Sequence, residues 1–238
     1  IDAGGIDAFV VLEATSELLQ LTAEEFFDRI VVQALDAHRL VEGPNFGFGR
    51  DRRGNIPLLR ELCHVAGRAL TVVTPVAVDN ITISSSAVRQ AIRDGRMRAA
   101  VAMLGHPYRL TGRVGRGAER GRELGFPTAN LIGIETLLPQ QGVYAATVQL
   151  TDPDASSTTP RRDRRYSAAV HLGPNPTFSD SADKVEVHLI GYHGDLYGRE
   201  LTVDLCDRLR DIRRFEDREA LVRQLERDVA EVIARVEP

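Results

Sequence analysis

Apolar positions in the first hundred residues alternate between short continuous runs and helical spacing. The run at residues 9–12 predicts a buried parallel strand, and Thr22 with Glu25 forms a capping box that opens a helix. Further elements are expected as strands at 39–41 and 70–73, a glycine-rich loop at 43–54, and helices at about 56–66, 87–93 and 97–104. Alternating strands and helices predict a parallel α/β sheet. Because the chain opens inside such a unit, we expect it to be a fragment.

Beyond residue 107 the apolar positions follow a period of two residues. Short strands are predicted at 144–150, 166–172, 185–190 and 201–206, separated by turns without helices. This pattern is typical of an antiparallel sheet or a small barrel. A final helix at about 217–236 has one apolar stripe and is expected to pack as a lid. The sequence therefore predicts two domains, at residues 1–105 and 106–238.

The composition of the chain argues against several classes of function. With 43% hydrophobic and 27% charged residues and no run of about 18 uncharged apolar residues, the chain fits a soluble globular protein without a membrane span. The sequence shows no export leader. Cys63 and Cys206 lie too far apart for a disulfide framework, and both observations favour a cytoplasmic location. A net charge of −4 argues against a dedicated nucleic-acid binder. Lys184 is the only lysine, which excludes a lysine-dependent phosphate loop.

The first half carries a candidate phosphate site at the start of the helix predicted at 87–93. Ser85 or Ser86 can cap this helix and Arg89 lies one turn further on, and a helix N-terminus with an arginine attracts phosphate. A plain capped surface helix is the alternative. The preceding loop contains Phe46 and Phe48, which either wall a planar ligand or pack in the core.

The second half carries a glycine- and arginine-rich segment at residues 110–131, whose glycines miss the dinucleotide-binding spacing. Thr128 and Asn130 end the segment and lie two residues apart on extended chain, so their side chains point the same way. Both supply oxygen ligands suited to Mg²⁺ bridging phosphates. A turn that satisfies its own backbone is the alternative.

The strand at 185–190 carries a candidate general base. Glu186 and His188 lie on the face opposite the apolar row, so Glu186 either accepts a proton from a substrate hydroxyl or is an ordinary exposed acid. His188 and His193 have no third ligand at metal-binding spacing. The polar segment 152–165 is arginine-rich and is interpreted as a solvated insertion, with a grip on RNA or phosphate as the alternative.

These motifs carry a family resemblance. The chain from about residue 107 resembles the riboflavin kinase domain, through GRELGFPTANL, GVYAATV, LGPNPTF, VEVHLI, GDLYGRELTVDL and the RRFEDREAL segment, in family order. Residues 1 to about 105 resemble the second half of the adenylyltransferase domain of the bacterial bifunctional riboflavin kinase/FAD synthetase family, through GPNFGFG and ISSSAVR. The resemblance implies a partial Rossmann-like nucleotidyltransferase domain followed by a small antiparallel β-barrel with a C-terminal helix.

In the second domain the resemblance implies roles for residues already singled out. Thr128 and Asn130 would hold Mg²⁺ and the ATP phosphates, and Glu186 would be the base for the terminal ribityl hydroxyl. The loop containing Gly117 and Gly121 would fold over ATP. Loops containing Arg210 and Phe215 would close on the flavin.

In the first domain Asn45 would lie in the flavin–adenylate cleft, and Ser85, Ser86 and Arg89 would meet nucleotide phosphates. The family's H-x-G-H motif, which stabilises the transferring phosphoryl group, occurs nowhere in the sequence.

We therefore expect a riboflavin kinase that converts riboflavin and ATP to FMN, without adenylyltransferase activity and without nucleic-acid or membrane partners. One alternative is the full bifunctional enzyme, if residues precede Ile1. Another is a non-catalytic flavin- or RNA-binding module.

Overall fold

A computed structural model describes residues 5–117, 120–150, 164–175, 177 and 180–236. The polar segment expected to be a solvated insertion lies outside these residues up to position 163. The chain divides into two compact units, Ile1–Val76 and Ala77–Pro238. Within the described ranges, no helix combines the length and hydropathy needed to cross a membrane.

The first unit pairs two parallel strands with helices. Its elements are α1 (Ser16–Gln20), α2 (Ala23–Phe26) continuing as a π-helix (Phe27–Ala34), β1 (Arg39–Glu42), a 3₁₀ turn (Arg50–Arg52), α3 (Ile56–Val65) and β2 (Ala69–Val72). The capping box is confirmed, since Thr22 and Glu25 exchange side-chain and backbone hydrogen bonds. The predicted parallel pairing is confirmed as well, with Leu40 opposite Leu70.

The strand predicted at residues 9–12 is wrong. These residues form no strand, and Val11 is 78% exposed. A strand needs a hydrogen-bonding neighbour, and in the described part of this unit β1 and β2 pair only with each other. The apolar run at residues 9–12 pairs with neither of these strands.

The second unit begins with a small hairpin and two helices. These are β3 (Ala77–Val78), β4 (Ile81–Thr82), α4 (Ser85–Arg93) and α5 (Met97–Leu104). Ile92, Met97 and Ala100 are buried in the same apolar cluster as the barrel interior. In space, therefore, residues 77–105 belong with the barrel, and the domain boundary at residue 105 stays a prediction from sequence.

The rest of the second unit is a closed antiparallel barrel, as predicted. Its strands are β5 (Tyr108–Gly115), β6 (Ala129–Ile132), β7 (Gly142–Leu150), β8 (Arg164–Asn175), β9 (Asp180–Leu189) and β10 (Glu200–Arg210). They follow the order β10-β5-β6-β9-β8-β7, and β10 pairs with β7 to close the ring. Tyr144, Val170 and Leu205 fill the interior.

Two helices accompany the barrel. The short α6 (Arg120–Glu123) lies between β5 and β6, where no helix was expected. The predicted final helix is confirmed as α7 (Arg218–Arg235), which Asp217 caps by accepting a hydrogen bond from the Ala220 amide. This helix contacts β7, β8 and β10 from outside, where Val232 packs on Ala145.

Candidate active site

A cleft of about 920 Å³, its open mouth included, lies between the barrel wall and helix α7. Strands β8, β9 and β10, the α6 turn and α7 all contribute side chains to its lining. Five of the residues selected from the sequence line it together: Gly121, Thr128, Glu186, Arg210 and Phe215. The fold thus gathers into one cleft residues that lie up to 94 positions apart (215 − 121) in the chain.

Strand alternation directs Glu186 into this cleft. Val185, Val187 and Leu189 are buried in the barrel, so the intervening Glu186 and His188 lie on the opposite face, as predicted. That face is covered by α7 and the loop before it, so Glu186 is half-buried. In the sheet Glu186 lies opposite His171 on β8 and Asn130 on β6.

The two glycines selected from the sequence are explained by close approach. A Cβ atom on Gly117 would lie 1.9 Å from the Asn130 amide nitrogen, so this backbone lies directly on the Asn130 side chain. A Cβ atom on Gly121 would lie 2.4 Å from the Phe126 carbonyl oxygen. Only glycine allows the turn between β5 and β6 to pack this tightly.

The residues around Asn130 suit a magnesium ion. Thr128 offers a hydroxyl, Asn130 an amide and the paired Glu186 a carboxylate, which are the hard oxygen donors that Mg²⁺ prefers. Mg²⁺ usually binds one or two protein groups together with substrate phosphates. Among the described residues no three His, Cys, Asp or Glu side chains form a metal-binding group. The oxygen donors around Asn130 fit an ion that shares its coordination with substrate phosphates.

His188 supports the turn that carries Thr128, a contact the sequence analysis did not identify. Its Nδ1 lies 2.8 Å from the Pro127 carbonyl oxygen, and its ring packs edge-on against Phe126 with centroids 5.5 Å apart. A carbonyl oxygen only accepts hydrogen bonds, so Nδ1 carries the proton. The period-two pattern that selected Glu186 also placed His188 on this face.

The far wall of the cleft is an arginine–phenylalanine cluster held by α7. Arg210 forms an ion pair with the buried Asp228, and the guanidinium carbons of Arg210 and Arg213 lie 5.8 and 4.9 Å from the Phe215 ring centroid. Sequence analysis reached Arg210 and Phe215 only through the family resemblance, and it missed Asp228. One signal was present: Asp228 follows Leu221 by seven residues and Leu225 by three, which places a lone acid on the apolar stripe.

A second cleft of about 490 Å³ adjoins the first. Its lining includes Arg122, Pro127, Tyr192 and Tyr197, and Thr128 lines both clefts. The amide of Tyr197 donates to the Asp195 carboxylate over 2.9 Å, which fixes the loop at this edge. Thr128 is thus the side chain at which the two clefts meet.

The residues selected in the first half do not belong to one unit. Asn45 lies in the first unit, whereas Ser85, Ser86 and Arg89 lie exposed on α4 of the second. The helix cap expected at Ser85 or Ser86 is instead Ser84, whose hydroxyl accepts from the Ala87 amide over 3.1 Å. The helix begins two residues earlier than predicted, and Ser84 has the extended backbone that a cap requires.

Phe46 and Phe48, in the loop next to Asn45, pack in the apolar core of the first unit. Phe48 is buried, and its ring stacks on Phe46 with centroids 5.5 Å apart. Both rings belong to the apolar cluster of the first unit, together with Leu59 and Cys63. Core packing, rather than a ligand wall, accounts for Phe48.

Comparison with known proteins identifies the class. A family model described as riboflavin kinase matches residues 104–236, and one described as FAD synthetase matches residues 1–87. The chain is 35% identical over 235 residues to a bifunctional riboflavin kinase/FMN adenylyltransferase of Pseudomonas fluorescens, covering 98% of this chain and 72% of that protein. The protein of the same name from Escherichia coli (strain K12) is 33% identical over 224 residues, covering 94% and 68%.

A solved structure agrees over the whole chain. The crystal structure titled as a macrolide-efflux protein from Streptococcus pneumoniae matches with a TM-score of 0.84 and 31% identity, covering 99% of this chain and 72% of that one. Taken together, the fold and the family matches define a flavin-nucleotide-forming transferase. The chain belongs to the bifunctional riboflavin kinase/FMN adenylyltransferase family. The expected absence of adenylyltransferase activity is not supported, because the FAD synthetase model matches residues 1–87.

Proposed function

We propose that this chain transfers the γ-phosphoryl group of ATP to the terminal ribityl hydroxyl of riboflavin, giving FMN and ADP. One observation carries the proposal: Thr128, Glu186 and the Arg210–Phe215 wall line a single cleft. The cleft is large and partly apolar, as a tricyclic flavin requires, and the Glu186 carboxylate lies on its barrel side. The riboflavin kinase family match over residues 104–236 supports the same substrate.

ATP is proposed to bind in the second cleft, with its phosphates directed toward Thr128. This cleft has the Arg122 guanidinium and two tyrosines in its lining, which suit phosphate and base. Because Thr128 lines both clefts, a γ-phosphate beside Thr128 is next to a hydroxyl held near Glu186. The proposal places the reacting groups where the clefts meet.

In this mechanism Glu186 orients the ribityl hydroxyl and takes its proton as the oxygen attacks phosphorus. Thr128 and Asn130 would hold Mg²⁺, which, when bound, neutralises charge on the phosphates. Gly117 lets the backbone close over the Asn130 side chain, and α6 closes over Thr128 through Gly121. Phosphoryl transfer depends chiefly on such positioning and charge neutralisation. Because no lysine is among the described residues that line the two clefts, arginine side chains and backbone amides would supply the remaining positive potential.

Glu186→Gln tests the proposal. The amide keeps the size of the side chain but cannot accept the proton, so kcat should fall about a hundredfold or more while riboflavin and Mg·ATP still bind. Glu200→Gln is the matched control, because Glu200 is an exposed acid at the start of β10 outside both clefts. Steady-state kinetics with chromatography of FMN measures both variants. Normal turnover by Glu186→Gln would refute the assignment.

A second candidate function is transfer of an adenylyl group from ATP to FMN, giving FAD and pyrophosphate. The FAD synthetase match over residues 1–87 and the bifunctional names of the relatives favour it. From the family resemblance, Asn45 of the first unit is proposed to bind the flavin, and Ser85, Ser86 and Arg89 of the second unit are proposed to bind nucleotide phosphates. Against it stands the missing H-x-G-H motif. Incubation of this chain with FMN and Mg·ATP decides: FAD that forms, and is lost in Arg89→Ala, supports the function, whereas FMN synthesis without FAD limits the chain to the kinase.

A further inference from the structure

Asp228 is a charged side chain of helix α7 that is buried almost completely. It is 2% exposed, and it faces the cleft rather than the barrel interior. The other carboxylate buried to a similar degree among the described residues, Asp204, pairs with Arg109, whose side chain is 59% exposed and outside both clefts. Burying a carboxylate costs free energy unless hydrogen bonds replace its hydration, so the partners of Asp228 matter.

Those partners form a fixed cluster. Arg210 Nε donates to Asp228 Oδ1 and Oδ2 over 2.9 and 3.1 Å, and Arg210 Nη2 donates to Oδ2 over 2.6 Å. Gln224, one turn earlier on α7, donates its Nε2 to Asp228 Oδ1 over 2.8 Å. The carboxylate therefore holds the planar guanidinium through two nitrogens of one edge, which fixes its orientation as well as its place.

A second arm of the cluster reaches Arg213. The Gln224 Oε1 accepts a hydrogen bond from Arg213 Nη2, so a single amide links this arginine to Asp228. The Phe215 ring lies close to both guanidinium groups, and the Phe215 backbone amide donates to the Thr177 hydroxyl over 3.3 Å. Asp228 and Gln224 on α7 thus hold the two arginines that lie against Phe215 on the cleft wall.

We propose that Asp228 is a positioning residue for flavin binding, acting through Arg210, with Gln224 extending its hold to Arg213. The inference rests on the proposed function, because it takes the Phe215 wall as the flavin-binding surface. Without the carboxylate, the Arg210 side chain, now 20% exposed, would turn toward water and leave Phe215. A preformed wall binds a planar ring more tightly than one that must be ordered on binding.

If the Asp228–Arg210 pair only joined α7 to β10, its loss would lower stability without a specific effect on riboflavin binding. The chain contains a second ion pair between α7 and β10 that can serve for comparison. Arg235 on α7 pairs with Asp207 on β10, and Asp207 also pairs with Arg98. Asp207 lines neither cleft. Asp207→Asn therefore removes a helix-to-barrel ion pair without touching the wall, which makes it the matched control.

The experiment compares riboflavin binding, followed by flavin fluorescence, with Mg·ADP binding, followed by calorimetry, in Asp228→Asn and Asp207→Asn. Asp228→Asn should raise the Kd and KM for riboflavin about tenfold, the size expected for a lost charge-assisted contact, and leave the Kd for Mg·ADP and kcat near normal. Asp207→Asn should lower the melting temperature and leave both Kd values unchanged. Equal loss of both ligands in Asp228→Asn, or unchanged riboflavin binding, would overturn the proposal.

Coupling to Arg210 gives a sharper test. If Asp228 acts through Arg210, the double variant Arg210→Lys/Asp228→Asn should bind riboflavin no more weakly than Arg210→Lys alone. Additive losses would exclude this route. Should Asp228→Asn fail to fold, Gln224→Met keeps the charge pair and frees Arg213; it should weaken riboflavin binding severalfold, and unchanged binding counts against the cluster. Failure of the unmodified chain to bind riboflavin would instead refute the proposed function itself.

Discussion

Glu42 ends strand β1 with a half-buried carboxyl group, and burial raises its pKa above the ordinary value of 4.5. The folded state therefore binds a proton at Glu42 more tightly than the unfolded state does. The favourable contribution is complete below pH 4.5 and is lost as the pH rises through the folded-state pKa. At neutral pH this carboxylate opposes folding.

Glu42→Gln should accordingly raise the melting temperature at pH 7, because the amide needs no proton to be neutral, and the gain should shrink near pH 4. Circular dichroism melts at the two pH values measure it. The control is Glu61→Gln, on the exposed face of α3, which should change stability little at either pH. A gain of equal size at both pH values would show that charge is not the cause.

At the scale of single residues, the sequence alone predicted those site residues whose side-chain direction follows from strand alternation. Glu186 was predictable because Val185 and Val187 flank it in one strand and fix its side. Asp228 was not, because its partner Arg210 lies 18 residues away and meets it only once α7 folds back on the barrel. Such a contact depends on tertiary packing, which no local period encodes.

At the scale of elements, Gly117 after strand β5 packs directly against the Asn130 side chain of strand β6. Gly117→Ala should raise the KM for Mg·ATP about tenfold, because the new methyl group would occupy the place of the Asn130 amide. Gly115→Ala is the control, since the atoms nearest to its new methyl group would belong to the Ile132 side chain, the closest at 3.0 Å. Steady-state kinetics with varied Mg·ATP separates them, and equal effects in both variants would argue against a specific contact with Asn130.

Element prediction succeeded where apolar residues marked the pattern clearly. The alternation in β7 to β10 and the stripe of α7 predicted the barrel and its helix, and apolar residues also marked the short β1 and β2. Strands β5 and β6 were missed, because glycines and arginines interrupt the apolar positions of β5 and because β6 has only four residues after a glycine-rich segment. The run at residues 9–12 failed in the opposite way: it has the composition of a strand, but a strand also requires a neighbour.

At the scale of the molecule, the two compact units differ from the domains predicted from sequence, and fragments can test which division is physical. A fragment of residues 77–238 keeps α4 and α5, whose Ile92, Met97 and Ala100 are buried with the barrel core. A fragment of residues 106–238 loses them and exposes the apolar surface they cover.

The shorter fragment should therefore melt at a clearly lower temperature, by several degrees or more, although both keep every residue lining the two clefts. Thermal denaturation of the two fragments measures the difference. Equal melting temperatures would mean that α4 and α5 contribute nothing to the barrel and would favour the boundary at residue 105.

Because the two clefts meet at Thr128, each reaction product has a different effect on the binding of riboflavin and ATP. If flavin and nucleotide occupy separate clefts, ADP competes with ATP alone. FMN carries the transferred phosphoryl group at the junction beside Thr128, so retained FMN blocks riboflavin and also the place of the γ-phosphate of ATP. FMN is then the product that keeps both substrates from binding productively, and synthesis slows when FMN accumulates.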